Sequence, residues 1–102
     1  RAVAIVEKNM DNIEFSTDEF AREMNMSRSN LHLKLKAITG ESTIDFIRKI
    51  RFNEAAKLLK DGRYTVAEVS TMVGFNTPSY FATSFKKYFG CLPTEYIKKS
   101  KG

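Results

Sequence analysis

The sequence contains very little of the chemistry on which most enzyme active sites depend. It has one histidine, one cysteine and no tryptophan among 102 residues. No group of cysteines and histidines has the spacing of metal ligands, and no glycine-rich stretch could hold a phosphate group. We therefore expect no catalytic residue, no metal and no cofactor, and we predict that the chain is not an enzyme.

Long apolar runs and a second cysteine are also missing. The apolar stretches are only a few residues long, which is too short for a membrane span or a signal-peptide core. The single cysteine, Cys91, cannot form an internal disulfide, which fits a reducing compartment. We expect a cytoplasmic domain that makes no membrane contact itself, while the full-length protein could still be membrane-anchored.

Proline and glycine are scarce, and no β-type alternation of polar and apolar residues runs for long. There are two prolines and five glycines, and the apolar residues recur three and four positions apart. This spacing, with hydroxyl residues or proline before each run and glycine after several, predicts an all-α fold of about seven helices. The main predicted helices cover residues 16–25, 27–40, 43–60, 65–73 and 78–90, with short helices at both ends.

Two parts of the chain carry the same helical pattern. Leu31, Leu35 and Gly40 recur fifty residues later as phenylalanine, phenylalanine and glycine, whereas the preceding helices are related by a shift of forty-nine. The second turn should therefore hold one extra residue. We predict a buried stripe of Leu31, Leu35 and Ile38 in one copy and of Phe81, Phe85, Tyr88 and Phe89 in the other. The predicted segments are a connector (1–12), two helix-turn-helix subdomains (13–42 and 62–102) and a linker helix (43–61).

Positive charge is concentrated after the first quarter of the chain. Residues 1–26 hold three basic and six acidic groups, a net charge of −3, while residues 27–102 hold fourteen basic and six acidic groups, a net charge of +8. This distribution favours a polyanionic partner on one side of the molecule. A solvated basic surface without a partner would give the same numbers.

A helix-turn-helix unit uses its first helix to support a second, the recognition helix, whose exposed face enters the major groove of DNA. Two such units in tandem on a basic chain favour double-stranded DNA as the partner. A helical protein-interaction module with a basic face for an acidic partner is the alternative from a different class. RNA binding is a weaker option, because no aromatic-bearing sheet is predicted.

One stretch resembles a known family closely. The segment GFNTPSYFATSFKKYFGCLPTEY, from Gly74 to Tyr96, is similar to the signature region of the AraC/XylS family of bacterial transcription regulators. The resemblance extends through RFNEAAKLL, from Arg51 to Leu59, and the segment Ser27–Gly40, back to about Ile13. It implies two helix-turn-helix subdomains bridged by a helix, with recognition helices in successive major grooves.

The resemblance also implies which positions contact DNA bases. These are Ser29, His32 and Leu33 in the first unit, with Arg28 adjacent, and Pro78, Ser79, Ala82 and Thr83 in the second. Many relatives carry arginine where this chain has Leu33 and Thr83, so we expect a thymine-methyl contact and a weaker hydrogen bond there. Arg28 could instead pair with a local acid. We assign phosphate contacts to Asn30, Lys36, Asn76, Thr77, Ser84, Lys86 and Lys87.

The acidic start of the chain lies outside the closest resemblance. It could be a connector helix docked on the first subdomain or the attachment point of an upstream sensor or receiver domain. The similarity of the chain to output domains of hybrid two-component regulators makes such domains, together with RNA polymerase, expected partners beside double-stranded DNA.

Overall fold

A computed structural model describes residues 1–12 and 15–101 of the chain. Residues 13 and 102, where the two predicted subdomains begin and end, lie outside the described residues, so the proposed segment boundaries stay predictions. The described residues form seven α-helices and no strand, which confirms the all-α expectation. The helices are α1 (Ala2–Lys8), α2 (Thr17–Glu23), α3 (Arg28–Thr39), α4 (Thr43–Asp61), α5 (Val66–Met72), α6 (Pro78–Phe89) and α7 (Pro93–Lys101).

The helix ends follow the capping residues that the sequence offers. The Ser27 hydroxyl accepts a hydrogen bond from the Asn30 amide at 3.1 Å, and the Thr77 hydroxyl accepts one from the Tyr80 amide at the same distance. The predicted capping box of α5 is complete, because the side chains of Thr65 and Glu68 each accept a hydrogen bond from the other's backbone amide. These side chains satisfy amides that would otherwise have no partner in the first turn.

The two helix-turn-helix units, α2–α3 and α5–α6, are built alike. In the first turn the Met26 amide donates to the Ala21 carbonyl at 2.9 Å, and in the second the Phe75 amide donates to the Ser70 carbonyl at 2.8 Å. Each turn contains one residue with positive φ, Asn25 at 58° and Gly74 at 81°. The predicted extra residue of the second turn is confirmed, and it is Asn76, which lies between the last equivalent turn residue and the helix cap.

The long helix α4 is the centre of the fold. It packs against α1, α3, α5 and α7, and it contributes side chains to both of the hydrophobic clusters that the described residues form. Phe46 and Ile47 from its first half belong to the cluster around α2 and α3. Phe52, Ala55 and Leu59 from its second half belong to the cluster around α5 and α6. One continuous helix therefore fixes each recognition helix relative to the other.

The second cluster is dominated by aromatic rings arranged around Phe52. The ring of Phe52 lies 5.4 Å from that of Phe75, 6.2 Å from that of Phe85 and 4.9 Å from that of Tyr88, measured between centroids. Each buried aromatic side chain removes a large apolar area from water, and edge-to-face or offset pairs add to this. We therefore expect this half of the domain to be the more stable one.

Two predictions about the buried stripes are wrong. Ile38 is 71% exposed, because the last turn of α3 extends past the cluster in which Leu31 and Leu35 are buried. Tyr88 is 44% exposed, since its ring covers one side of Phe52 and leaves its other face to solvent. Helical spacing gives the direction of a side chain, but it does not show where the neighbouring helices end.

A buried arginine joins three segments of the chain. Arg51 of α4 is 8% exposed; one of its terminal nitrogens donates to the Gly74 carbonyl at 2.9 Å and the other to the Asn12 carbonyl at 3.0 Å. Burial lowers the pKa of the Arg51 guanidinium, but arginine is so strongly basic that it stays charged at neutral pH. Arg51 thus connects the end of the N-terminal segment and the second turn to the linker helix.

Gly74 cannot carry a side chain at this junction. A Cβ atom there would lie 2.6 Å from a terminal nitrogen of Arg51 and 2.6 Å from the Met10 carbonyl oxygen, and the backbone φ is +81°. Gly62 has nearly the same conformation, φ +79°, but a Cβ atom at that position would meet nothing within 4 Å.

This difference predicts the stabilities of two variants. Gly62→Ala should cost about 1–2 kcal/mol of unfolding free energy for the left-handed conformation alone. Gly74→Ala should cost a further ~1–3 kcal/mol, because the packing around Arg51 must also shift. Chemical denaturation of both variants and the parent chain measures the cost of the left-handed conformation and the further cost of the contact with Arg51. Equal losses in the two variants would show that the contact with Arg51 and Met10 carries no strain.

Candidate nucleic-acid interface

The recognition helices α3 and α6 present matching surfaces. Both have 12 residues, and both have two buried side chains. In α3 these are Leu31 and Leu35, and in α6 they are Phe81 and Phe85, at the positions that the repeat predicts. Most of the remaining surface of each helix is exposed, so a face about 18 Å long by the rise of 1.5 Å per residue is available for a partner.

The four residues predicted to contact bases on α3 are all exposed. Arg28, Ser29, His32 and Leu33 line one open groove of about 720 Å³, together with Thr17 and the start of α4. Leu33 is 65% exposed, so its side chain is accessible to a partner, although a single exposed leucine is ordinary on a protein surface. The structure thus brings the first predicted set together on one surface.

The second predicted set lies at the start of α6, but its members differ in accessibility. Pro78, Ser79 and Thr83 are exposed, whereas Ala82 is half-buried. The Thr83 hydroxyl donates a hydrogen bond to the Ser79 carbonyl at 3.0 Å. Its proton is therefore engaged within the helix, and the oxygen is left to accept a hydrogen bond from a partner.

The residues to which we assign phosphate contacts surround both recognition helices. Six of them are exposed and Ser84 is half-buried; the exposed ones are Asn30, Lys36, Asn76, Thr77, Lys86 and Lys87. The hydroxyl of Thr77 accepts the capping hydrogen bond of α6, and its O–H can still donate to a phosphate oxygen at the same time.

Arg28 has a local partner in the structure. Its guanidinium lies 3.2 Å from the carboxylate of Asp18 on α2, and both side chains are well exposed. Exposed pairs of this kind contribute only about 0–1 kcal/mol to stability, so the contact orients Arg28 without fixing it. A polyanion that approaches α3 would compete with Asp18 for the same guanidinium.

Sequence spacing missed four residues that line the grooves beside the recognition helices. Thr17, Ile44, Arg48 and Tyr80 all line a groove between the two units. Thr17 and Ile44 also line the groove next to α3. Arg48 and Tyr80 also line a groove along α6. No local pattern distinguishes these residues, because they come from three helices that meet only in the folded chain. Of the four, only Arg48 is charged, so its positive charge was the one property in the sequence that could have suggested a contact with DNA.

Other chemistry has little support in the part of the chain that the structure describes. Among these residues no three His, Cys, Asp or Glu side chains come close enough to hold a metal ion. No described helix is both long enough and apolar enough to cross a membrane.

Two helix-turn-helix units with exposed polar recognition helices, on a chain of net charge +5, define a DNA-binding domain of the double helix-turn-helix class. A helix-turn-helix domain family matches residues 20–99. The chain belongs to this family, in its AraC-type branch of transcription regulators, as the resemblance predicted. This is a family of DNA-binding regulators rather than of enzymes.

The chain is also similar to parts of larger proteins. The chain is 38% identical to histidine kinase P4 of Formosa agariphila over 96 residues. This aligned stretch is 94% of this chain and 7% of that protein. The C-terminal domain of AraT, a response regulator from Geobacillus stearothermophilus, is 31% identical with a TM-score of 0.90 and covers 97% of this chain and 82% of that one. The chain spans less than a third of the length of the curated relatives it matches.

The fold also occurs in a solved DNA complex. The DNA-binding domain of AdpA, determined with a target DNA, superposes with a TM-score of 0.87 over 96% of this chain and 87% of that one, at 24% identity. At this identity the likeness concerns the fold alone.

The pairing of Arg28 with Asp18 predicts the effect of removing the acid. Asp18→Asn should raise the affinity for any DNA duplex about five-fold at low salt, the equivalent of ~1 kcal/mol for one charge at close range in water. Folding stability should change by less than about 1 kcal/mol. Titration of a labelled duplex at 50 and 200 mM salt measures the change, which salt should reduce by screening.

Asp61→Asn is the matched control, because Asp61 also forms an exposed ion pair, with Arg63 at 2.8 Å, but does not line the grooves beside the recognition helices. An equal gain of affinity in both variants would mean that only net charge matters and that Arg28 has no special position.

Proposed function

We propose that this chain binds double-stranded DNA sequence-specifically, as the output domain of a bacterial transcription regulator, with α3 and α6 in successive major grooves. The observation that carries the proposal is the pair of matching recognition helices on one rigid helix. Because α4 contributes to both hydrophobic clusters, its 19 residues hold the two exposed faces in one arrangement. Successive major grooves on one face of B-DNA repeat every ~34 Å, and an α4 about 28 Å long is of matching size.

In this proposal each recognition helix reads bases from the first turns of its exposed face. His32 and Ser29 supply hydrogen-bonding groups, and Leu33 supplies an apolar contact suited to the methyl group of thymine. The second helix offers shorter side chains at Ser79 and Thr83, and the Thr83 oxygen can accept from an adenine or cytosine amino group. We therefore expect the first unit to discriminate bases more strongly, and the second to depend more on DNA shape.

The phosphate contacts supply most of the affinity but little of the specificity. Lys36 and Lys86 occupy equivalent positions in the last turns of α3 and α6, so they would contact the backbone in the same way in both half-sites. The remaining backbone contacts in the proposal come from Asn30, Asn76, Thr77, Ser84 and Lys87.

The wider role of the protein follows from the relatives that carry this domain as a small part of a longer chain. We propose that upstream sensor or receiver domains of the same protein control the domain, and that α1 is the connector to them. RNA polymerase is the further partner through which a bound regulator would act on transcription. A cytoplasmic location is part of this proposal, since the DNA lies there.

Selection of bound duplexes from a random pool tests the proposal directly, with binding at several salt concentrations as the second measurement. An enriched sequence with two conserved blocks about one helical turn apart is the expected result. Neutralisation of ~6–10 phosphates predicts a loss of affinity of ~10³–10⁵ between 50 and 200 mM salt. A pool without enrichment at fixed salt would leave the interaction of a basic helical module with an acidic protein as the better explanation.

Two substitutions separate the base contacts from the backbone contacts. His32→Ala should weaken binding to the selected duplex by about 1–3 kcal/mol and relax the preference at one base pair. Lys86→Ala should weaken binding to all duplexes alike and reduce the salt slope by about one charge. Affinity measurements on the selected duplex and on single-base variants of it give both results. If His32→Ala lowers the affinity for every duplex equally, the assigned recognition face is wrong.

A further inference from the structure

An open groove of about 410 Å³ lies between the two helix-turn-helix units. We call it the central groove; α4 supplies one of its walls and the second turn supplies another. Among the described residues, its lining contains two cations and no acidic side chain. The polar residues of this lining are Ser16, Thr17, Arg48, Arg51, Asn76 and Tyr80.

Arg51 places a fixed positive charge at this groove. Its two terminal nitrogens are bound to backbone carbonyls, and its buried Nε has no hydrogen-bond partner among the described residues. Among residues 1–12 and 15–101 no carboxylate forms an ion pair with it. Since no described acid neutralises it, this buried charge keeps its potential in the adjacent groove, where screening by water is weakest.

Arg48 lies one helical turn before Arg51 and is exposed. No described residue forms an ion pair with it, so its side chain can turn into either of the two grooves that it lines. The groove along α6 also contains the acidic residues Glu41 and Asp45, which would repel an anion. The described lining of the central groove includes no acid, so an anion that binds Arg48 is favoured on that side.

The central groove also connects the two recognition surfaces. It shares Thr17 and Ile44 with the groove in front of α3. On the other side it contains Asn76, the extra residue of the second turn, which precedes the cap of α6. A duplex that offers successive major grooves to α3 and α6 must present the intervening minor groove, and the two backbones that flank it, to the surface between them.

We propose that the central groove holds the DNA backbone between the two half-sites and that Arg48 contacts a phosphate of the intervening minor groove, next to the buried charge of Arg51. The proposal rests on the proposed function, because both recognition helices must bind one duplex. It adds a residue of the linker helix to the interface, so that this helix binds DNA as well as setting the spacing of the recognition helices.

Arg48→Ala tests the contact. Affinity should fall for every duplex alike, and the slope of log K against log salt should decrease in magnitude by about 0.9, the value for one phosphate contact on B-DNA. Lys57→Ala is the matched control, because Lys57 is an exposed cation of the same helix and lies nine residues on, about half a turn around the helix from Arg48. Its salt slope should equal that of the parent chain.

Neutral groups in place of single DNA phosphates show which phosphate Arg48 contacts. Methylphosphonate groups placed singly at the phosphates between the two half-sites of the selected duplex should weaken binding of the parent chain at one position. Arg48→Ala should be insensitive to the substitution at that position and normal at the others. Thermal unfolding of the variant checks that the exposed substitution leaves the fold intact.

The outcomes separate this inference from the proposed function. An unchanged salt slope in Arg48→Ala, an equal change in Lys57→Ala, or the same response of parent and variant to every methylphosphonate would overturn the contact. Those results would leave the sequence preference of the parent chain unaffected. A parent chain without any sequence preference would instead overturn the proposed function, and no position between half-sites would then exist for Arg48 to occupy.

Discussion

The buried Arg51 guanidinium fixes the second helix-turn-helix unit on the linker helix and on the N-terminal segment. One end of it holds the carbonyl of Gly74 in the second turn, and the other holds the carbonyl of Asn12 after α1. A buried charge requires such hydrogen bonds, because removing a partner from it costs several kcal/mol. The N-terminal segment, the linker helix and the second unit are therefore bound to one another at a single point. Met10 strengthens the same junction, since it packs against the second cluster while Val6, one turn earlier, is buried in the first.

The same junction explains why the two units are similar but not identical. Each turn needs one residue with positive φ, and the first uses Asn25, a residue type that tolerates this conformation. The second uses Gly74, because the space that a Cβ atom would fill is occupied by Arg51 and the Met10 carbonyl. The second unit also contains Asn76, which has no counterpart in the first and lies on the groove between them. The second turn thus contacts the linker helix and the N-terminal segment through Arg51 and the Met10 carbonyl.

Much of the fold could be predicted from local pattern, and the exceptions have a common cause. Capping serines and threonines, glycine stops and the fifty-residue repeat gave the order of the helices and most of their ends. These patterns wrongly predicted that Ile38 and Tyr88 are buried, because the exposure of both side chains depends on where neighbouring helices end. For the site, the exposed faces of α3 and α6 could be predicted, since the buried residues of a helix define its opposite face. The pairing of Arg28 with Asp18 was open as an alternative, but the choice of partner depended on how α2 and α3 pack.

By itself the sequence determined the all-α class, the two copies of one helical unit, the helix between them and the concentration of positive charge after residue 26. These properties follow from spacing, capping and composition, which act over a few residues and can be recognised without coordinates. Only the tertiary structure decided that Arg51 is buried at a three-way junction, that Arg48 and Tyr80 line the space between the units, and that Asn76 lies beside them. Residues from α4 and from the second turn are more than twenty positions apart in the chain, so no local rule relates them. Their proximity results from the packing of one long helix against both hydrophobic clusters.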